Sequence, residues 1–480
     1  MRDTTRAKDY VARWIGENKG EFHGVSDAIF SYAELGMEEF ESTRAIVDCL
    51  RRHGFAVEEG VAQMPTAFVA SYGSGRPVIA LSCECDALPG LSQEPGQTEH
   101  RPVVEGAPGH GCGHNLLGVA EVMAAVAIKN AMGDLNLEGT IKVFGTPLEE
   151  MCTGKPYMAR AGVFDGVQAV LDWHPWYYNL ATYDTCNAYF NVKCHFRGRT
   201  AHGNAPWHGR SALDAAMLMG HMIEMLREHI APGNPPDAAN TINYTFPDVG
   251  PEYASVVPDR ATLWCIARMI STDEAQYVLQ RVTTCAEAAA MATETSVERE
   301  LVTATHHKIP NKTLAEVIRR NLDEVGLAPY SEQEQRFARE LQRGVGAPET
   351  GISTGLLPFE PASTALCDTS EYSWIAPYAT FWLATAPGGI GWHNWRITSC
   401  VGSSIGKKSM DTAATVLARS GVELLMQPEV FEQARAELDD QLGGGRYESL
   451  IPEEVKPPVQ VNRATMDKYR ARQREHYKSL

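Results

Sequence analysis

No stretch of this sequence approaches the roughly 18 consecutive apolar residues of a membrane-spanning helix. Residues 1–20, MRDTTRAKDYVARWIGENKG, lack the apolar core of a secretory signal and read as the start of an amphipathic helix. Positive charge is scarce too: 43 Lys and Arg against 60 Asp and Glu leave a net charge of −17, without the concentrated basic face that nucleic acid requires. Neither nucleic acid nor a membrane is an expected partner. A basic pocket inside the acidic shell stays open for a small molecule. The eleven cysteines are odd in number and show no framework spacing, which points to free thiols in a reducing cytoplasm.

What is present is a chain of 480 residues, 44% hydrophobic and 21% charged, enough for two or three domains. Residues 5–53 read as helices with a turn near Glu34-Leu35-Gly36. Strand-like runs follow at 55–58, 67–72 and 77–82, a helix at 116–132, a strand at 140–145, a helix at 155–163 and a strand at 168–171. This alternation is α/β, with polar residues at the strand exits where ligands of open α/β sheets bind. Between 186 and 304 the order becomes β-α-β-β-α-β, which suits a ferredoxin-like sandwich inserted into the larger domain. The expected organisation is therefore a catalytic domain over 1–185 and 305–425, an insert over 186–304 and a C-terminal surface appendage over 426–480.

Five distant segments carry potential metal ligands: Asp86, Cys112 with His114, Glu149 with Glu150, His174 and His393. Mixed thiolate, imidazole and carboxylate donors suit divalent metals of borderline softness. In Glu149-Glu150 neighbouring side chains diverge, so one can bind metal while the other faces the water. Singly, each has a bland alternative: a buried thiol beside a capping histidine, two glutamates at a helix start, a loop histidine before proline. Their conjunction at element ends favours metal. No second cysteine follows Cys112 at redox spacing.

In order, Glu84-Cys85-Asp86-Ala87-Leu88-Pro89, Gly109-His110-Gly111-Cys112-Gly113-His114-Asn115, Pro147-Leu148-Glu149-Glu150, Trp173-His174-Pro175 and the late His393 resemble the metal motifs of the aminoacylase-1/carboxypeptidase G family of metallopeptidases. The cysteine-bearing version is similar to its auxin-conjugate amidohydrolase branch, and the resemblance runs from about residue 25 to 425. It implies a mixed-sheet metallopeptidase-like catalytic domain with an inserted ferredoxin-like α+β lid and dimerisation domain. It also implies two divalent ions per chain (Mn, Zn or Co) held by Cys112, His114, Glu150, His174 and His393. Glu149 becomes the general base toward the metal-activated water, and Asp86 orients a ligand histidine. By the same resemblance His202, in Thr200-Ala201-His202-Gly203, reaches an active site across a homodimer to stabilise an oxyanion; a hydrogen-bonded turn histidine is the alternative. Asn243 is a candidate for polarising the substrate carbonyl. Arg210 and Arg268 are candidates for holding a substrate carboxylate, with a surface ion pair as the other possibility.

Departures from the family pattern at Ser255-Val256-Val257-Pro258, Ala365-Leu366-Cys367-Asp368 and Gly391-Trp392-His393-Asn394-Trp395 fall around the substrate pocket. Trp173, Trp176, Trp207, Trp374, Trp392 and Trp395, six of nine tryptophans, lie beside the motifs and favour a flat aromatic substrate. The expected activity is metal-dependent hydrolysis of an aryl or acyl amide of an amino acid such as glutamate or aspartate. Two rivals are hydrolytic deamination of an aromatic amine on the same scaffold and a catalytically inactive binding subunit. The complete ligand set argues against the latter.

Overall fold

The near-continuous apolar runs become the centre of one mixed seven-stranded sheet. In this computed structural model, which describes residues 4–234, 238–251 and 253–479, the chain opens with helices α1 (Thr5–Tyr32) and α2 (Phe40–Arg52). Residues 1–3 of the expected amphipathic start lie outside the described residues. Strands β1 (Ala56–Glu59), β2 (Phe68–Ser74) and β3 (Val78–Cys83) follow, then α3 (His114–Leu135), β4 (Gly139–Gly145), α4 (Gly154–Arg160), β5 (Ala169–Trp176) and the short β6 (Leu180–Ala181). The insert contributes β7 (Ala188–Arg197), α5 (Ala212–Arg227), β8 (Thr241–Gly250), β9 (Arg260–Met269), α6 (Thr272–Ala292) and β10 (Ser296–Thr305). The chain then resumes with α7 (Lys312–Val325), α8 (Glu332–Arg343), β11 (Tyr378–Ala384), α9 (Trp395–Val401), α10 (Ser404–Met426), α11 (Glu429–Leu442) and α12 (Arg463–Arg474).

The large sheet has the order β1-β2-β4-β3-β5-β11-β6. Its four inner strands β4, β3, β5 and β11 are parallel and its margins antiparallel. Helices cover both faces, which is why β3 and β5 read as unbroken apolar runs. By length and composition α3 is apolar enough to cross a membrane, contrary to the sequence reading. Here it is a core helix, buried along most of its length between α1, α10 and the sheet. In the insert the sheet order is β8-β9-β7-β10, antiparallel throughout. Helices α5 and α6 pack on it around a core of its own, and among the described residues β8 is an edge with no strand on its outer side.

Two expectations are corrected. Strand β5 does not stop at Leu171 but runs through Asp172, Trp173 and His174 to Trp176, because β11 pairs with it along that length, His174 beside Trp382. The C-terminal segment is no loose appendage. Met466 is fully buried, and Arg470 bonds Glu34 at 2.9 Å and Glu38 at 2.7 Å. Asn462 donates to the Gly36 carbonyl at 2.9 Å. The tail thus clamps the loop between α1 and α2, whose buried carboxylates need a cation.

Candidate metal centre

That clamped loop reaches the site directly. The Ala87 N–H donates to the Glu34 carbonyl at 2.7 Å, fixing the segment that leaves β3 with Asp86. The Asp86 carboxylate is buried and accepts twice, from His114 Nδ1 at 2.8 Å and from the Glu150 N–H at 3.0 Å. His114 opens α3, and Gly113 before it adopts φ +91, a left-handed turn that separates Cys112 from His114. A Cβ at Gly113 would also lie 3.0 Å from the Pro175 ring. With Nδ1 engaged, His114 turns Nε2 toward the cluster.

Glu149 and Glu150 do not begin an α-helix. They form a separate single turn, Glu149–Met151, bracketed by Leu148 at φ +59 and Cys152 at φ +51. Left-handed backbone at residues other than glycine costs about 1–3 kcal/mol and survives where neighbours over-determine it. Here the Leu148 N–H donates to the buried Glu39 carboxylate at 3.0 Å. Gly154 lets the chain close tightly, since a Cβ there would stand 1.9 Å from the Pro147 carbonyl. His174, on β5, donates Nδ1–H to the Pro175 carbonyl at 2.6 Å and sets Nε2 3.6 Å from Cys112 Sγ. His393, at φ +56, places Nε2 3.4 Å from Glu150.

The donor atoms fall into two groups. Those of Cys112, His114 and His174 lie within 4.8 Å of one another, and so do those of Cys112, Glu150 and His393. Cys112 belongs to both. His114 Nε2 and Glu150 Oε1 are buried without a hydrogen-bond partner, as donors reserved for a cation are. Charge tells the same story. Burial, and then Glu150, push the Cys112 thiol up to about 12. Burial raises Glu150 to about 8 and, with Glu84, lifts Glu149 well above the usual carboxylate range. Burial and the His114 charge lower His174 to about 3 and His393 to about 4. A buried group of acids that cannot all ionise, beside the neutral imidazoles of His174 and His393 and the charged one of His114, fits divalent cations that would replace the protons.

Above the donors is a cavity of about 340 Å³. Trp176, Trp382 and Trp392 form one wall, with Trp176 ring centroids 4.6 Å from Trp392 and 5.4 Å from Trp382. The Trp392 indole also donates to Cys112 Sγ at 3.4 Å. Arg268 enters from the insert, the only lysine or arginine among the described lining residues. Of the tryptophans singled out by sequence, Trp173 is core and donates to the Leu117 carbonyl. Trp207 is exposed on the insert, while Trp374 and Trp395 pack on His306 and His100 away from the cavity. Trp382 was missed with β11, a run the sequence reading did not assign as a strand.

Three other expected residues are not brought to the cavity within this chain. Arg210 is committed to Glu294 by bonds of 2.7 and 3.0 Å, so the ion-pair alternative holds for it. His202 is exposed and takes the Asn204 N–H on its Nδ1. Asn243 is exposed on the edge strand β8.

Sequence reasoning also passed over Lys155. Its ammonium is fully buried, 2.6 Å from Glu84 and 2.6 Å from Asp368. A lysine in the first turn of a helix, where the dipole disfavours a cation, was the available signal.

A thiol, imidazole and carboxylate cluster at the carboxyl end of parallel strands, beside an inserted ferredoxin-like unit, defines a metal-dependent hydrolase of carbon–nitrogen bonds. Residues 188–294 match the peptidase dimerisation domain. The chain is 32% identical over 472 residues to a p-aminobenzoyl-glutamate hydrolase subunit of Escherichia coli strain K12, covering 92% of this chain and 97% of that one. Its fold resembles an aminobenzoyl-glutamate utilization protein from Klebsiella pneumoniae, with TM-score 0.54, 18% identity, and 88% and 98% of the two chains covered. It also resembles a dinuclear metal binding peptidase of the M20 family from Bacillus subtilis, with TM-score 0.54, 17% identity, and 84% and 99% covered. The chain belongs to the M20 peptidase family, the family of aminoacylase-1 and carboxypeptidase G, and is a metal-dependent amidohydrolase.

Proposed function

We propose that the enzyme cleaves the amide between an aromatic acyl group and an acidic amino acid, as in p-aminobenzoyl-glutamate. The observation that carries this reading is Cys112 shared between two donor sets beneath a wall of three tryptophans, with Arg268 entering the same cavity. Cys112, His114 and His174 would hold one divalent ion and Cys112, Glu150 and His393 the other, a mixture suited to zinc, manganese or cobalt. Bound there, the ions supply Lewis acidity and a water of lowered pKa. Asp86 fixes the His114 ring. Glu149 takes a proton from the attacking water on its carboxylate and returns it to the leaving nitrogen. Trp176, Trp382 and Trp392 receive the aromatic ring, and Arg268 pairs with the substrate carboxylate.

The same reading makes the enzyme a homodimer through its insert. Among the described residues edge strand β8 has no strand on its outer side, and Met217, Met225, Trp207 and Tyr253 of the insert are exposed at 48–71%, the kind of surface that pairs. His202 then serves the cavity of a second copy, donating to the oxyanion of the tetrahedral adduct. A cytoplasmic setting belongs to this reading because a thiol ligand at Cys112 needs reducing surroundings.

Glu149→Gln tests the assignment. Metal content should stay at the wild-type level while turnover falls by roughly 10²–10⁴, whereas Glu150→Gln should lose metal. Normal turnover in Glu149→Gln would refute it. A panel of aromatic amides and aromatic amines, scored for ammonia, separates amide hydrolysis from deamination.

A further inference from the structure

Lys155 is a cation surrounded by metal-type donors. Its Nζ lies 2.6 Å from Glu84 Oε1 and 2.6 Å from Asp368 Oδ1, and its backbone N–H donates to the other Asp368 oxygen at 3.1 Å. All three side chains are at most 1% exposed. The donor atoms of Glu84, Cys367 and Asp368 stand within 4.8 Å of one another, close enough that they could hold an ion. The second Glu84 oxygen faces the other way, 3.6 Å from His114 Nε2. There Glu84, His114 and Glu149 form another group within 4.8 Å.

Glu84 is therefore shared between two donor groups, as Cys112 is, and one of them contains Glu149. A carboxylate that ligates a divalent ion has its basicity lowered by that charge and is a poorer base. We propose that Lys155 is a positioning residue. Its ammonium fills the cation place between Glu84 and Asp368, ties Glu84 down, and so keeps Glu149 free of metal. This rests on the reading of Glu149 as the base. It adds that the enzyme excludes a third divalent ion with a built-in monovalent one.

The experiment uses Lys155→Met, close in length and uncharged, in the full chain. Mn²⁺ is titrated in, the free ion is followed by electron paramagnetic resonance, and bound manganese is counted per chain. The variant should bind one more Mn²⁺ than wild type, with turnover more than 10-fold lower and falling further as Mn²⁺ rises. Adding Glu84→Gln to Lys155→Met should return the count to the wild-type value and recover turnover. An unchanged count overturns the proposal whatever the turnover, and so does an extra ion with wild-type turnover. If Lys155→Met does not fold in chelator, its melting is repeated in millimolar Mn²⁺. Recovery of a folding transition supports a cation place there, and no recovery overturns it. Failure of the underlying reading appears elsewhere, as normal turnover in Glu149→Gln.

Discussion

Replacing Asp86 by asparagine removes a charge and almost no volume, yet the geometry allows no comfortable amide. The carboxylate accepts from His114 Nδ1 at 2.8 Å on one oxygen and from the Glu150 N–H at 3.0 Å on the other. An amide has one acceptor and one donor end, so its NH₂ must face an N–H whichever way it turns. If the amide oxygen stays with His114, the Glu150 N–H is left buried without an acceptor, at about 1–3 kcal/mol. That weakens the strained turn bearing Glu149. If it turns to Glu150, the His114 ring loses the partner that fixes its tautomer and aim. Losses of this kind typically lower metal affinity about 10–100-fold. The expected result for Asp86→Asn is a rise of that size in the metal Kd, with a melting point lower by a few degrees. Competition against a chelator of known affinity measures the first, and calorimetry the second. A metal Kd within twofold of wild type would sink the argument that Asp86 supports both the histidine and the turn.

The acids of the site set a pH dependence for the metal-free protein. Burial raises Glu150 and Glu39 to about 8, and Asp172 and Asp368 to about 7. Folded values above the unfolded ones favour the protonated fold, so stability present at low pH is lost as pH rises through them. Melting of chelator-treated protein should therefore fall as pH rises from about 5 to about 8 and level off above, and metal added near pH 8 should restore it; a flat profile from about pH 5 to about 8 refutes this. Trp176→Leu should raise KM for an aromatic acyl conjugate roughly 2–10-fold, from about 0.5–1.5 kcal/mol of ring contact. KM for the acetyl conjugate should hardly move. His202→Ala and Glu149→Gln chains, each nearly inactive, should regain partial turnover when mixed and allowed to exchange subunits; no gain on mixing counts against His202 acting across a dimer.

Much of the site was legible because its motifs are local. Gly109 to Asn115 brings a thiol and imidazoles together within a few residues, and the chemistry follows from side-chain type. The insert was legible because Ala188–Arg197 alternates and its helices carry serine caps at Ser211 and Ser271. Tyr378–Ala384 was passed over although it is an unbroken apolar run like β3, with every residue buried, and Trp382 was lost with it. Lys155 and Glu84 were passed over for a different reason. Their meaning lies in a contact with Asp368, more than 200 positions further along the chain, and no spacing within one segment encodes that. The tail failed similarly. Its composition is that of a solvated helix, and only the buried Glu34 and Glu38 give Arg470 a purpose.

The clamp on that loop also has a bearing on the order in which the molecule can be assembled. Ribosomes build from the amino end, so Glu34 is made 436 positions before Arg470. Through all that time a nascent chain carries two carboxylates destined for burial and no guanidinium to meet them. Every residue from Cys112 to His393 is made before α12. The loop from Glu34 to Glu39, which bonds Ala87 on one side and Leu148 on the other, therefore lacks its cation until α12 is made. Full support for the turn bearing Glu149 therefore waits on Arg470.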